Sequence, residues 1–305
     1  MNRDIYEKIE KLRKEKDVLI LAHLYQSLDV QHLADYTGDS FELAKRAKQS
    51  DKKNILFCGV KFMAESAKIM NPDKHIFAPV KTAGCAMADM VTADDVKSLK
   101  AKHPDAAAVC YINSSAETKA ECDMCVTSSN ALKIIKNMPE KEIIFVPDKN
   151  LGGYISECVP EKTFYIHSGY CPVHKNINAE NAKKVMASHP DALLLVHPEC
   201  EKEITELSDF AGSTSMIIDY AKKSDAKSFI IGTERAVCEK LSDECPDKEF
   251  ILLDEGLTCE DMKLTTVENI LETLEKLDDE VILSENIMIK AKRCLDNMLV
   301  AGSKQ

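Results

Sequence analysis

His103-Pro104-Asp105-Ala106-Ala107-Ala108-Val109-Cys110-Tyr111-Ile112-Asn113 returns 86 residues later as His189-Pro190-Asp191-Ala192-Leu193-Leu194-Leu195-Val196-His197-Pro198-Glu199. In each copy a turn leads into an apolar run, and the run ends on polar residues. Thr127-Ser128-Ser129 and Ser213-Thr214-Ser215 keep the same offset. A fainter first copy has its apolar run at 17–22, its polar triplet at His23-Leu24-Tyr25 and its hydroxyl at Asp39-Ser40. Further apolar runs lie at 54–60, 142–147 and 228–232, and again near 75–80, 163–167 and 249–253. Three cysteines share the period: Cys85, Cys171 and Cys259 are separated by 86 and 88 residues, each just beyond the last apolar run of its copy. A fixed period that includes polar residues is the mark of a repeated structural unit.

Each copy reads as three short apolar strands separated by helices. Segments 40–48, 128–136 and 214–222 have helical spacing of apolar residues. Apolar strands alternating with helices imply parallel sheets covered on both faces. The expected architecture is α/β: three similar αβα domains, residues 1–88, 89–174 and 175–265, arranged with pseudo-threefold symmetry. Helices within 266–305 are expected to pack back on the first.

Bulk properties narrow the function. The 305 residues carry a formal charge of −11 and a pI near 5.3, which argues against a general nucleic-acid binder. No apolar run approaches the roughly 20 residues that span a bilayer. Met1-Asn2-Arg3-Asp4 leads into a charged helix without a secretory apolar region. The expectation is a cytoplasmic protein whose twelve cysteines are reduced thiols.

Ligands of parallel sheets bind beyond the carboxyl ends of the strands. His23, Tyr25, Tyr111, Asn113, His197 and Glu199 follow first strands there, the three periodic cysteines follow last strands, and Ser40, Ser128 and Thr214 begin helices. Hydroxyls with free backbone N–H groups at helix N-termini suit carboxylates and phosphates, so a small polyanion is the expected occupant. Three thiolates meeting on the axis make a metal or iron–sulfur site with one ligand missing. A three-cysteine zinc site with bound water is an alternative. Several thiolates without an obvious nitrogen ligand favour a [4Fe–4S] cluster whose open iron acts as a Lewis acid. Cys58, Cys110, Cys158, Cys200, Cys238, Cys245 and Cys294 read as small buried hydrophobes. Cys122-Asp123-Met124-Cys125 is a CxxC off the repeat, without a second pair to complete a zinc motif.

The runs Cys85-Ala86-Met87-Ala88-Asp89-Met90, Tyr111-Ile112-Asn113-Ser114-Ser115-Ala116-Glu117-Thr118-Lys119-Ala120, Pro147-Asp148-Lys149-Asn150-Leu151-Gly152, Cys171-Pro172-Val173-His174, His197-Pro198-Glu199-Cys200 and Gly212-Ser213-Thr214-Ser215 closely resemble the quinolinate synthase family. The resemblance spans about residues 17 to 265. It implies an enzyme of NAD biosynthesis with a [4Fe–4S] cluster on Cys85, Cys171 and Cys259. It implies condensation of iminoaspartate with dihydroxyacetone phosphate to quinolinate, phosphate and water, with functional coupling to an enzyme that makes iminoaspartate. It carries substrate contact to His23, Ser40, Tyr111, Asn113, Ser128, His197, Glu199 and Thr214. Tyr25, His197 and Glu199 are then the candidates for proton transfer. His174 belongs either over the substrate or against the cluster. Two departures stand out: Glu260 replaces a proline after Cys259, and Val126 stands where many members carry a cysteine. An iron–sulfur hydro-lyase acting on a hydroxy acid, or a non-enzymatic iron–sulfur carrier, are the competing readings.

Overall fold

A computed structural model describes residues 3–278 and 280–303. The apolar runs form three parallel sheets of four strands each. In the first, β1 (Val18–His23), β2 (Tyr36–Gly38), β3 (Asn54–Cys58) and β4 (His75–Phe77) lie in the order β2-β1-β3-β4. The second contains β5 (Ala107–Tyr111), β6 (Met124–Val126), β7 (Glu142–Val146) and β8 (Thr163–Ile166), ordered β6-β5-β7-β8. The third contains β9 (Leu193–Val196), β10 (Phe210–Ala211), β11 (Ser228–Gly232) and β12 (Glu249–Leu252), ordered β10-β9-β11-β12. All pairings within these sheets are parallel. The central strands are buried on both faces, which is why they read as continuous apolar runs rather than alternating ones. Helices flank each sheet, giving three αβα units.

The second strand of each unit is the element the sequence reading missed. β2, β6 and β10 have only two or three residues, too few to stand out in the sequence as strands. An aspartate locks each edge in place instead. Asp35, Asp123 and Asp209 accept from the backbone N–H of Ile20, Ala108 and Leu194, and each returns its own N–H to the carbonyl of the same residue. Lys74, Lys162 and Lys248 form another threefold set. Each ammonium donates to carbonyls at the end of a neighbouring helix, those of Ala47 and Ser50, of Met138 and of Ala221 among them. Such contacts satisfy carbonyls that a helix C-terminus leaves unpaired.

The two C-terminal helices part company. Val267–Lys276 lies on helix Arg3–Glu15 of the first unit, with Ile270 and Leu274 buried beside Ile9. Helix Glu285–Ser303 packs chiefly against helix Ala116–Glu121 and β6 of the second unit, and also touches helix Lys61–Met70 of the first. The expectation that both pack on the first unit is therefore corrected for the last helix. Its stripe Ala291, Cys294, Leu295 and Met298 fills the seam between two units and joins their cores. Among the described residues no helix is long and apolar enough to cross a membrane.

Candidate active site

The carboxyl ends of the three sheets face one cavity. All thirteen residues singled out above line it: His23, Tyr25, Ser40, Cys85, Tyr111, Asn113, Ser128, Cys171, His174, His197, Glu199, Thr214 and Cys259. Each unit contributes a polar pair from the end of its first strand and a cysteine from beyond its last.

The three cysteines occupy equivalent turns. The N–H groups of Asp89, Lys175 and Lys263, four residues on, donate to the carbonyls of Cys85, Cys171 and Cys259 at 3.1, 2.9 and 3.3 Å. The N–H groups of Ala88, His174 and Met262, three residues on, point at the sulfurs. Cys171 and Cys259 each immediately precede a short helix, so Glu260 opens the third turn as Pro172 opens the second. An acid clasps each loop: Cys171 N–H donates to Asp148 (3.2 Å), Cys259 N–H to Glu234 (3.3 Å) and Gly84 N–H to Asp261 (3.1 Å). Burial is the main cause that pushes the thiols up, Cys85 to about 12 and Cys259 to about 11, with Cys171 also well above its ordinary value. The charges of Glu199 and Cys259 add to this at Cys85. Three sulfurs aimed at by backbone N–H groups, with their charge disfavoured by burial, are a donor set that a cationic iron centre completes. The residues present fit such a group.

Glu199 is the hub of the polar residues. Its carboxylate lies 2.8 Å from His174 Nδ1 and accepts from the Tyr111 hydroxyl. Burial alone would raise its pKa; His197, together with the His174 and Tyr111 hydrogen bonds, outweighs this and draws it down to about 2. His174 Nε2 lies 2.9 Å from Thr233 Oγ1, which lies 3.0 Å from the Tyr25 hydroxyl, itself 2.9 Å from Thr214 Oγ1. Starting from the carboxylate, the donors follow in order. His174 Nδ1–H donates to Glu199, Thr233 O–H to His174, Tyr25 O–H to Thr233 and Thr214 O–H to Tyr25. His174 Nδ1 also lies 3.3 Å from the Cys171 sulfur, so it touches both the polar network and the cysteine turn.

His23 and His197 repeat one device. The N–H of the residue two positions on, Tyr25 or Glu199, donates to Nδ1 at 3.1 and 3.2 Å. An Nδ1 that accepts leaves the proton on Nε2. Burial lowers the pKa of both, to about 3 for His23 and about 4 for His197, so both are neutral at pH 7 and present Nε2–H. Burial likewise holds Tyr25 and Tyr111 as phenols.

None of the three helix-start hydroxyls is the capping residue. Asp39 and Ser213 cap the helices that Ser40 and Thr214 begin, and Ser128 stands in the turn before Asn130 and helix Ala131–Asn137. With capping done by their neighbours, these hydroxyls are released to the cavity. The sequence reading passed over Thr233, Asp148 and Glu234. A signal existed, since Pro147-Asp148 and Thr233-Glu234 sit on the 86-residue offset, each just past its unit's third strand in chain order.

A second sulfur group lies elsewhere. Cys110, Cys125 and Cys294 converge within 4.8 Å and can hold a metal ion. The reading of Cys110 and Cys294 as isolated hydrophobes is corrected, because residues remote in the chain meet here. This tight, fully buried group has no place among the cavity-lining residues. Cys171, His174 and Glu199 also lie within 4.8 Å, as the hydrogen bonds above require.

The family model described as quinolinate synthetase A protein matches residues 7–300. The quinolinate synthase of Clostridioides difficile is 49% identical over 298 residues, covering 98% of either chain. That of Clostridium perfringens is 49% identical over 299 residues, covering 98% of this chain and 99% of the relative. That of Caldicellulosiruptor bescii is 48% identical over 303 residues, covering 99% and 100%. On likeness of this extent, and with one cavity gathering side chains from all three repeats, the chain belongs to the quinolinate synthetase A protein family.

Proposed function

We propose that this chain condenses iminoaspartate with dihydroxyacetone phosphate to give quinolinate, phosphate and water, in the cytoplasm, as a step of NAD biosynthesis. Cys85, Cys171 and Cys259 would hold a [4Fe–4S] cluster. When bound, that cluster supplies a Lewis-acidic iron with a coordination place open to an oxygen or nitrogen of the substrate. The observation that carries the reading is the convergence of the three periodic cysteines with ten polar residues on one cavity.

Both substrates are anions, and the lining offers donors. Nε2–H of His23 and His197, the Asn113 amide and the hydroxyls of Ser40, Ser128 and Thr214 bind and orient carboxylate and phosphate oxygens. Neutral imidazoles do this without a fixed positive charge that would retain a charged product. Glu199, held ionised, is the proton acceptor. Tyr25, held as a phenol, is the donor at the far end of the hydrogen-bond chain. Thr233 and His174 connect the two and hold carboxylate and phenol in place, and a proton taken up at Glu199 together with one given at Tyr25 leaves the net charge of the network unchanged. Iminoaspartate hydrolyses in water, which fits delivery from the enzyme that makes it into an enclosed cavity.

The test is anaerobic purification followed by iron and sulfide counting and a quinolinate assay on the same sample. One cluster per chain and quinolinate from the two named substrates are expected. Cluster-loaded protein that makes no quinolinate, or that instead dehydrates a hydroxy acid, would overturn the reading. Glu199→Gln with its cluster retained should lose about 10²–10⁴-fold in kcat, and wild-type turnover would remove Glu199 from the proton path.

A further inference from the structure

Four cysteines meet on the far side of the second sheet. Cys110 and Cys125 are register partners on β5 and β6, and Cys294 comes from helix Glu285–Ser303. The Cys110 and Cys294 sulfurs are 3.5 Å apart. All three residues are fully buried. Cys122, also buried, comes from the loop before β6 and turns its thiol on the Cys110 sulfur. We propose that Cys110, Cys122, Cys125 and Cys294 bind one soft divalent cation, zinc, which staples the last helix to the second sheet.

Geometry favours a single ion. Tetrahedral zinc with Zn–S of about 2.3 Å places its sulfurs about 3.8 Å apart, close to the observed 3.5 Å. Sulfurs this close cannot enclose a four-iron cube. Cys122-Asp123-Met124-Cys125 has the two-residue spacing by which one loop supplies two zinc ligands. Cys122 falls outside the 4.8 Å set, so zinc binding requires its thiol, which already meets the Cys110 sulfur, to turn inward.

Charge points the same way. Four thiolates around zinc leave two negative charges, and fully buried Lys119 stands beside them. Its ammonium donates to the Ser114 carbonyl and lies 5.3 Å over the Phe62 ring, and its charge reaches Cys110 and Cys125. The thiols of Cys122, Cys125 and Cys294 all approach the Cys110 sulfur, so one ion can reach all four. Each thiol that becomes a ligand releases its proton to solvent, and the binding energy adds to folding.

The test uses the full chain, purified anaerobically with its iron intact, incubated with Zn²⁺ and desalted. One zinc per chain is expected in addition to unchanged iron, and zinc-edge X-ray absorption should show an all-sulfur shell at about 2.3 Å. Cys122→Ser and Cys294→Ser should each lose the zinc and keep the iron. Wild-type protein that retains no zinc overturns the proposal. So does a nitrogen or oxygen shell, which can be read on wild type whether or not the variants fold. Zinc that persists undiminished in both variants overturns it as well, because it would sit on other sulfurs.

Discussion

Replacing Thr233 by valine tests the proton path at its least obvious member. Valine keeps the shape of threonine and removes only the hydroxyl, so no cavity opens at this fully buried position. Two hydrogen bonds are lost, to His174 Nε2 (2.9 Å) and to the Tyr25 hydroxyl (3.0 Å). Tyr25 retains Thr214 at 2.9 Å, whereas His174 Nε2 is left buried without a donor. An unsatisfied buried group costs about 1–3 kcal/mol, and the lost Tyr25 bond adds about 1 kcal/mol, so stability should fall by about 2–4 kcal/mol. A domain-sized protein survives that loss at assay temperature. Turnover should fall further than stability implies: with Tyr25 and Glu199 disconnected, kcat should drop by about 10²-fold, the lower range of acid–base contributions. KM should change little, because Thr233 faces Tyr25 and His174 rather than substrate. The assay is anaerobic quinolinate formation with iron counted on the same sample. Thr233→Ser should restore most of kcat, and adding Tyr25→Phe to Thr233→Val should cost much less than the product of the two single effects. Wild-type kcat in Thr233→Val, with iron retained, would refute the part given to this hydrogen-bond chain.

Cys259→Ser should lose the iron as completely as Cys85→Ser or Cys171→Ser despite its different flanking sequence, as iron analysis would reveal, because the three turns are alike. Gly232→Ala would drive a methyl to 2.7 Å from Val196 Cγ1 at the carboxyl ends of the two central strands of the third sheet; it should cost about 1–3 kcal/mol, read from the denaturant midpoint. Thr92 caps its helix and holds Asp95 below the usual carboxylate range through side-chain and backbone hydrogen bonds. A depressed folded pKa contributes stability that is present above the unfolded value of 3.8 and lost as pH falls through the folded one. Thr92→Ala should therefore cost about 0.5–2 kcal/mol at pH 7, and the gap to wild type should narrow in urea titrations taken below pH 3.8.

The apolar runs alone locate nine of the twelve strands: the six central ones are apolar because they are buried on both faces, and β4, β8 and β12 keep shorter apolar runs at the sheet edges. β2, β6 and β10 escape notice because two or three residues are too few to register as a strand pattern; their aspartate clasps are visible only once the partner strand is known. The periodic cysteines and strand-end residues could be picked out in the chain because a threefold repeat converts equal spacing into proximity. Asp148, Glu234 and Thr233 lie on the same period but look like ordinary loop residues until their partners, 23 to 208 positions away, come into contact.

By itself the sequence determined the repeat, the parallel α/β units and the periodic cysteines and strand-end residues of the cavity, since these follow from local pattern multiplied by three. The tertiary structure alone decided what breaks the repeat. The last helix lies across the seam between two units because its buried stripe matches the cores of both, and it carries Cys294 to Cys110 and Cys125. No local pattern encodes that meeting, because 184 residues of chain separate the two sulfurs and only packing brings them together.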